Sequence, residues 1–188
     1  MTVPAGTMLT GKPSPPALAA IARGLLSEPY PLAQANSSRT LATQALLAVL
    51  VPVQFGTVVS GVAVCIETVA ADAGLPTGVF VGLYDLTGVR LAVSADVKAV
   101  SGWNATGVFS FAFTTAWTVT ADGAVYAAIL KNGVWGTEAK IATMTAVVGT
   151  GAKLGSNAAG AVTQAAQATM PASATLTAND SYPWLALV

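Results

Sequence analysis

Carboxylates are the side chains with which this sequence could do chemistry. The acidic residues in predicted loops or at predicted strand ends are Asp72, Asp85, Asp96, Asp122 and Glu138. A glycosidase needs two such groups facing each other across an aromatic-lined groove. Asp85 and Asp122 instead precede glycines by one to three residues, which is typical of turns. No loop places three acidic or amide ligands close together, as a calcium loop does. We therefore expect no enzyme activity, no metal and no cofactor.

The numbers of histidines and cysteines exclude several classes of nucleophilic catalysis and of metal site. The chain has no histidine and one cysteine, Cys65. Ser-His-Asp catalysis, Cys-His catalysis and the common zinc sites all need residues that are missing. Cys65 lies in the apolar run VAVCIE, so we expect it to be a small buried hydrophobe.

Three tryptophans near predicted loops are the candidates for ligand contact: Trp103, Trp117 and Trp135. Exposed aromatic rings on the rim of a β-sandwich can stack on sugars. The other interpretation is that each ring caps the hydrophobic core, which is the more usual position of a single tryptophan. Both interpretations remain open at this point.

The composition points to a subunit of an assembly. Hydrophobic residues make up 54% of the 188 residues and charged residues 9%, with a formal net charge of +0. An average soluble protein has about 25% charged residues, and a net charge near zero favours association. We expect a homo-oligomer, a trimer or a dimer. The alternative is a monomer whose surface is covered by Ser, Thr and Gly.

Two classes of partner are disfavoured by the same sequence. Eight basic and eight acidic residues leave no basic patch for nucleic acid. No run approaches 18 apolar residues, so we expect no transmembrane helix and no membrane partner. The first residues, MTVPAGTMLTGKP, lack the pattern of a signal peptide. We expect synthesis in a cytoplasm.

The elements that must position these residues are strands. Residues 78–94 read GVFVGLYDLTGVRLAVS, two alternating β-rich runs around the turn Asp85–Gly88, which predicts a hairpin. The other predicted strands cover 46–53, 57–69 with a possible bulge at Gly61, 108–114, 124–130 and 182–188. Residues 41–50 could also form a helix, and 141–148 a strand or a short helix. Asn132-Gly133 resembles the turn of a further hairpin.

These strands, separated by Gly, Asp and Pro turns, predict an all-β fold: a two-sheet antiparallel sandwich, jelly-roll-like. Phe109, Phe111 and Phe113 share one face of a strand and mark the core. We place the sandwich domain at 41–188, with a long Ala/Gly/Thr-rich excursion at about 149–177. The excursion could be mobile, or it could be ordered on a partner.

Residues 1–40 are predicted to form a Pro-rich N-terminal arm. Ser14–Leu26 suits one short helix, with Leu18, Ile21 and Leu25 on one stripe. Such a short helix must dock on something, either its own sandwich or a neighbouring subunit. The assembly candidates are therefore Leu18, Ile21 and Leu25, together with Trp184 in the bulky C-terminal strand.

The hairpin also carries a family resemblance. The pattern runs through Gly82-Leu83-Tyr84-Asp85, Gly88, Leu91-Ala92 and Ser94-Ala95-Asp96, and continues in Gly107-Val108-Phe109, Asp122-Gly123 with Tyr126, and Pro183–Leu187. It resembles actinobacteriophage virion β-sandwich proteins of the minor tail, fibre or capsid decoration type. It departs from them at Ala124-Val125-Tyr126, where a second aromatic residue is expected, and in the 1–40 arm.

The resemblance implies a structural protein on the virion surface, made in the cytoplasm of the bacterial host. Its partners would be other copies of itself and the major capsid or tail proteins. The alternative is a receptor- or carbohydrate-binding module of a phage tail that grips host-surface glycans. A secreted bacterial sandwich is a third possibility, disfavoured by the missing signal peptide.

Overall fold

A computed structural model describes residues 24–70, 76–145, 161–164, 167–175, 177–178 and 181–188. The fold is nearly all β, with 56% of residues in strands and two antiparallel sheets packed face to face. The predicted β-sandwich is confirmed. The strands are β1 (Ser37–Thr40), β2 (Ala45–Val53), β3 (Val58–Thr68), β4 (Gly78–Tyr84), β5 (Arg90–Val93), β6 (Gly107–Thr118), β7 (Gly123–Asn132), β8 (Lys140–Thr145), β9 (Ala161–Gln164), β10 (Thr177–Ala178), β11 (Ser181–Pro183) and β12 (Leu185–Leu187). Short 3₁₀ turns cover Leu32–Gln34 and Ser101–Asn104.

In the described residues each sheet has six strands, and the chain crosses between the sheets repeatedly. Sheet A has the order β1-β8-β3-β12, with β11 also paired to β8 and β6 to β3. Sheet B has the order β10-β9-β2-β7-β4-β5. Because β2, β4 and β7 lie in sheet B while β3, β6 and β8 lie in sheet A, most neighbouring strands come from distant parts of the sequence, the exceptions being β4–β5 and β9–β10.

The hairpin of residues 78–94 is confirmed as β4 and β5. Gly82 pairs with Val93 and Leu83 with Ala92, and the Asp85–Gly88 turn joins the two strands. Gly88 closes the turn at φ +87°, in the left-handed region that favours glycine. The predicted irregularity at Gly61 is also present, because the β3–β6 register shifts between Val59 and Gly61.

The inner core lies between the sheets and follows the two-residue period of each strand. Every second residue of β2, β4 and β7 is buried there, for example Leu47, Val81 and Ile129. From β6, Phe111 and Phe113 are buried and Phe109 is partly buried against the same core. The phenylalanine face therefore points inward as predicted.

The outer face of sheet B is also apolar, and the chain covers it itself. Leu46, Tyr84, Tyr126 and their neighbours on this face form a second buried cluster with Met170 and Ala174. Residues 167–175, here named the Met170 strap, cover the face. The strap is tied to the hairpin turn by bonds from Arg90 N to Ala172 O (2.9 Å) and from Ala174 N to Gly88 O (2.8 Å). The described part of the predicted excursion thus packs on its own sheet, which neither open alternative anticipated.

A second strap, residues 24–36, here named the Leu25 strap, covers the outer face of sheet A. Leu25 and Tyr30 form a third buried cluster with Cys65, Trp184 and smaller residues of that face. The strap is held by the antiparallel bridge between Ser27 and Leu187. The next residues form β1, which pairs with β8 from Ser37↔Thr143 to Thr40↔Lys140.

Residues 24–40 are therefore part of the sandwich and not of a separable arm, which corrects the boundary expected at residue 40. Leu25 and Leu26 are not helical, and the rest of the predicted Ser14–Leu26 helix, with Leu18 and Ile21, lies outside the described residues.

Three local predictions are decided by the strand assignments. Residues 45–53 form a strand, so the helical alternative for 41–50 is wrong. Residues 140–145 form β8, and the end of the predicted 141–148 segment lies outside the described residues. The hairpin predicted at Asn132-Gly133 is wrong, because β7 and β8 lie in different sheets. Gly133, at φ +86°, lets the chain leave sheet B instead of returning along it.

Candidate functional site

The two ends of the sandwich carry most of the exposed large apolar side chains among the described residues. One end, here named the Phe55 end, is formed by the loops 54–57, 85–89 and 119–122. The register places these loops together, since Val53 pairs with Gly123, Val58 with Thr118 and Tyr84 with Tyr126.

The opposite end, here named the Val134 end, is formed by the loops 94–106 and 133–139. The pairs Gly78↔Asn132 in sheet B and Thr68↔Lys140 in sheet A place both loops there. The strands run between the two ends, so the ends face opposite directions.

The Phe55 end exposes large apolar side chains. Phe55 is 71% exposed, Val58 55%, and Leu86 and Val89 50% each. Such a concentration on the rim of a folded domain is typical of an interaction surface.

Phe55 is held in place by backbone hydrogen bonds. Its N–H donates to Asp122 Oδ1 (2.7 Å). The N–H of the next residue, Gly56, donates to Val119 O (2.9 Å). Gly56 lies at φ +78°, which gives the tight turn that projects the ring. An aromatic side chain on an ordered turn loses little backbone entropy when a partner covers it.

Asp85 organises the neighbouring turn. Its Oδ1 accepts hydrogen bonds from Thr87 N (2.8 Å), Thr87 Oγ1 (2.7 Å) and Val89 N (2.9 Å). Burial acts to raise the pKa of Asp85, but the hydrogen bonds from Thr87, Val89 and Gly88 outweigh it, so the pKa lies below its ordinary value. This carboxylate is engaged in turn structure and presents Leu86 and Val89 to solvent.

A charged group is enclosed at the Val134 end. Lys131 is 1% exposed. Its ammonium donates to Glu138 Oε2 and lies 5.4 Å from the centroid of the Trp135 ring. The Glu138 side chain is 27% exposed, so water reaches one partner of this ion pair. The pair and the ring together explain how the core accommodates a lysine.

Trp103 and Trp135 belong to the core beside that ion pair. Trp103 stacks on Phe111 at 4.8 Å between ring centroids and lies 5.3 Å from Trp135. The Trp103 Nε1–H donates to Val97 O (2.9 Å). Trp103 is 1% exposed and Trp135 4%, so neither offers a free face to a sugar, which corrects their expected role as ligand contacts. Trp117 is half-buried against the inner core.

Asp96, the next of the predicted carboxylates, is engaged within the fold. Asp96 Oδ1 accepts from Val79 N (2.9 Å) and Lys98 N (3.0 Å), and its Oδ2 lies 3.3 Å from Lys98 Nζ. Asp72 lies outside the described residues. In the part of the chain that the structure describes, no three His, Cys, Asp or Glu side chains form a group that could hold a metal ion.

The assembly candidates that can be located pack within their own chain. Leu25 is 4% exposed and Trp184 is fully buried. The Trp184 Nε1–H is shared between Tyr30 O (3.1 Å) and Glu28 Oε2 (3.2 Å). Both residues fix the Leu25 strap on sheet A and are not surface contacts. Leu18 and Ile21 lie outside the described residues.

Sequence reasoning missed Phe55, Val134 and Lys131. Lys131 had a usable signal, since β7 alternates and Lys131 shares parity with the inward residues Val125, Ala127 and Ile129. Phe55 and Val134 each lie next to a glycine at positive φ, Gly56 and Gly133, a pattern that marks a turn but not what the turn exposes.

Two comparisons with known proteins found no match. No protein-family model matches the chain, and no curated protein sequence matches it. Across the described residues, no helix has the length and apolar character needed to cross a membrane.

Proposed function

We propose that this protein is a non-enzymatic structural subunit of a phage virion, a capsid decoration protein or a component of the tail or fibre. The observation that carries the proposal is the Phe55 end, an exposed apolar rim on an ordered scaffold. The resemblance of the confirmed β4–β5 hairpin to virion sandwiches supplies the class of assembly.

The energetics suit assembly through this end. Burying apolar surface contributes roughly 25 cal/mol per Å². Phe55 is mostly exposed and its backbone is already ordered, so a partner that encloses the ring gains that burial without ordering the turn. Buried aromatic anchors of this kind tend to dominate interface energies.

The proposed partners are other copies of this chain and the major capsid or tail proteins, on the virion surface. The carbohydrate-binding alternative depended on three tryptophans, two of which are now placed in the core. Neither of those two supports it, so it enters only as an outcome of the test.

The experiment is immunogold electron microscopy of intact particles of the phage that encodes the chain, with pre-immune serum as the control. Gold over the heads supports a decoration protein, and gold on the tail supports a tail or fibre component. Particles that carry no gold, and no band for the chain in purified virions, contradict the proposal.

A second measurement addresses the Phe55 end. Purified protein is added to particles that lack it, and the bound fraction is compared for wild type, Phe55→Ser and Val108→Ser. Val108 is 37% exposed on β6, away from the Phe55 end, and is the matched control. We expect only Phe55→Ser to lose binding. Binding of the wild type to host-surface glycans rather than particles would favour the carbohydrate-binding alternative.

A further inference from the structure

The described chain begins beside the Phe55 end. Ser27 in the Leu25 strap forms an antiparallel bridge with Leu187, which in turn pairs antiparallel with Val62 of β3. The strap therefore runs parallel to β3 at this point. Gly24 lies three residues before Ser27, about level with the start of β3 at the Phe55 end. Residues 1–23 therefore join the described fold beside this end.

The length of residues 1–23 is sufficient to cross the Phe55 end. Sheet B presents β2, β7, β4 and β5 in that order, a width of about 15 Å at ~4.8 Å per strand spacing, and the two sheets are about 10 Å apart. About eight extended residues, at ~3.4 Å each, therefore cross the end. The segment is long enough to cover it.

Residues 1–23 combine large apolar residues with a positive charge. The segment contains six residues of the types Val, Leu, Ile and Met: Met1, Val3, Met8, Leu9, Leu18 and Ile21. Its charged side chains are Lys12 and Arg23, and it has no Asp or Glu. A segment of this kind is complementary to a surface that is apolar and carries carboxylates.

The Phe55 end is such a surface. The carboxylates of Asp85 and Asp122 lie among its exposed apolar side chains, and Asp122 is itself at an exposed position. A basic residue is also present there, Arg90, whose guanidinium donates to Met170 O in the Met170 strap. The described charged groups at this end are therefore two carboxylates and one guanidinium, and the guanidinium is already engaged.

A second segment outside the described residues, 146–160, matches this end less well. It follows β8, which runs towards the Phe55 end because it pairs antiparallel with β3. It contains three residues of the same apolar types, Val147, Val148 and Leu154, and one basic residue, Lys153. Residues 1–23 contain twice as many of each.

We propose that residues 1–23 cover the Phe55 end of their own chain, with their apolar side chains on Phe55 and its neighbours, and with Lys12 and Arg23 near the carboxylates. The connection at Gly24 favours the same copy, because a segment joined directly to its site has an effective concentration on the order of millimolar. A segment from another copy would compete only at a similar concentration of free protein.

The proposal deepens the proposed function, since it names what covers the Phe55 end in the free subunit, and it rests on that function in treating the end as an interaction surface. A virion protein that binds there would have to displace the segment. The test uses the isolated chain, so it can fail while antibody finds the chain on virions, and the reverse also holds.

The experiment is photo-crosslinking of the full chain carrying Phe55→p-benzoylphenylalanine, followed by mass spectrometry of the joined peptides. Phe55 is 71% exposed, so a larger ring is tolerated there, and circular dichroism checks the fold. The control is Val134→p-benzoylphenylalanine, at a position 59% exposed on the opposite end. We expect the label at position 55 to join peptides of residues 1–23 about tenfold more than the label at position 134, in a product of monomer mass.

Four results would each overturn the proposal. The label at position 55 could join no peptide of residues 1–23, or it could join them no more than the control label does. It could join residues 146–160 instead, which would make that segment the cover. It could join residues 1–23 in a product of twice the monomer mass, which would mean that the segment comes from another copy.

Charge reversal tests the contact of the basic side chains in the cross-linking variant. Lys12→Glu together with Arg23→Glu should lower the yield of the joined product about threefold at low salt, and the difference should shrink in about 0.5 M NaCl. Lys140→Glu makes the same change at an exposed position of the Val134 end and should leave the yield unchanged. A yield that does not respond to charge reversal at positions 12 and 23 contradicts the proposed contact with the carboxylates.

Discussion

Asp85 holds the β4–β5 turn with a single carboxylate oxygen. Two substitutions of Asp85 show whether the turn needs the hydrogen-bond acceptor or the negative charge. Asp85→Ala leaves the N–H groups of Thr87 and Val89 without their acceptor, and we expect a loss of about 1–2 kcal/mol in the free energy of unfolding. Asp85→Asn keeps an oxygen acceptor and should lose less. Urea denaturation at pH 7 measures both, and equal losses would mean that the charge, not the acceptor, holds the turn.

The same residue predicts a pH dependence. Because the folded-state pKa of Asp85 is lowered, its contribution to stability is complete above the unfolded-state pKa of about 3.9 and is lost as the pH falls through the lower folded-state value. The difference in unfolding free energy between wild type and Asp85→Asn should therefore shrink below about pH 4. A difference that stays constant from pH 7 to pH 3 contradicts this assignment.

Removing Glu138 and removing Lys131 should change the free energy of unfolding by different amounts. Glu138→Ala leaves a buried ammonium without its carboxylate, and we expect a loss of about 3 kcal/mol. Lys131→Met removes the buried charge, fills a similar volume and leaves a carboxylate that water can reach, so the change should stay within about 1 kcal/mol. Urea denaturation of both variants is the measurement. A larger loss for Lys131→Met than for Glu138→Ala would mean that the ion pair stabilises the fold beyond its desolvation cost.

At the scale of the elements, the Met170 strap can be tested through two glycines. Gly88 and Gly56 both lie at positive φ, where alanine is strained by about 1–2 kcal/mol. A Cβ at Gly56 meets nothing within 4 Å, whereas a Cβ at Gly88 clashes with the carbonyl of Ala174 in the strap. We expect Gly56→Ala to cost about 1 kcal/mol and Gly88→Ala at least twice as much. Thermal unfolding of both variants checks this. Equal losses of stability would show that the strap moves away from the added methyl group at no cost.

The sequence predicted elements well where the signal is local. The β4–β5 hairpin follows from Asp85 and Gly88, which shape the turn by themselves, and the inward phenylalanines follow from alternation along β6. The partner of a strand is a non-local property. Asn132-Gly133 resembles a hairpin turn, yet β8 lies in the other sheet, because Gly133 only permits a reversal and cannot direct it.

The candidate site was less predictable for the same reason. Apolar runs in β2, β4 and β7 indicated buried strands, but not that both faces of sheet B would be covered from within the chain. Nor does a tryptophan near a loop reveal whether its ring faces solvent. Trp103 lies in a 3₁₀ turn that folds its ring onto Phe111, and the loop that carries it bends inward.

At the scale of the whole molecule, the high hydrophobic content has an explanation within one chain. A sandwich with one core needs apolar residues on one face of each strand, whereas this chain buries both faces of several strands in three clusters. The two outer clusters lie under the Leu25 and Met170 straps, of which the structure describes residues 24–36 and 167–175. We expect these outer layers to open more readily than the inner core, because the described part of each strap contributes two residues to its buried cluster, Leu25 and Tyr30 or Met170 and Ala174.

Cys65 reports this opening, since it is the only cysteine and lies 8% exposed among the residues that the Leu25 strap covers. Under native conditions, labelling by a thiol reagent should require an opening that costs less free energy than global unfolding and depends weakly on denaturant. Leu25→Ala removes a buried anchor of the strap at a cost of about 2–4 kcal/mol, and should speed labelling at least tenfold. Leu26→Ala, at a neighbouring position 48% exposed, should leave the rate unchanged. Two results together would contradict this: Cys65 reacts only as fast as the whole protein unfolds, and Leu25→Ala accelerates labelling no more than its loss of global stability requires. The strap and the inner core would then unfold as one cooperative unit.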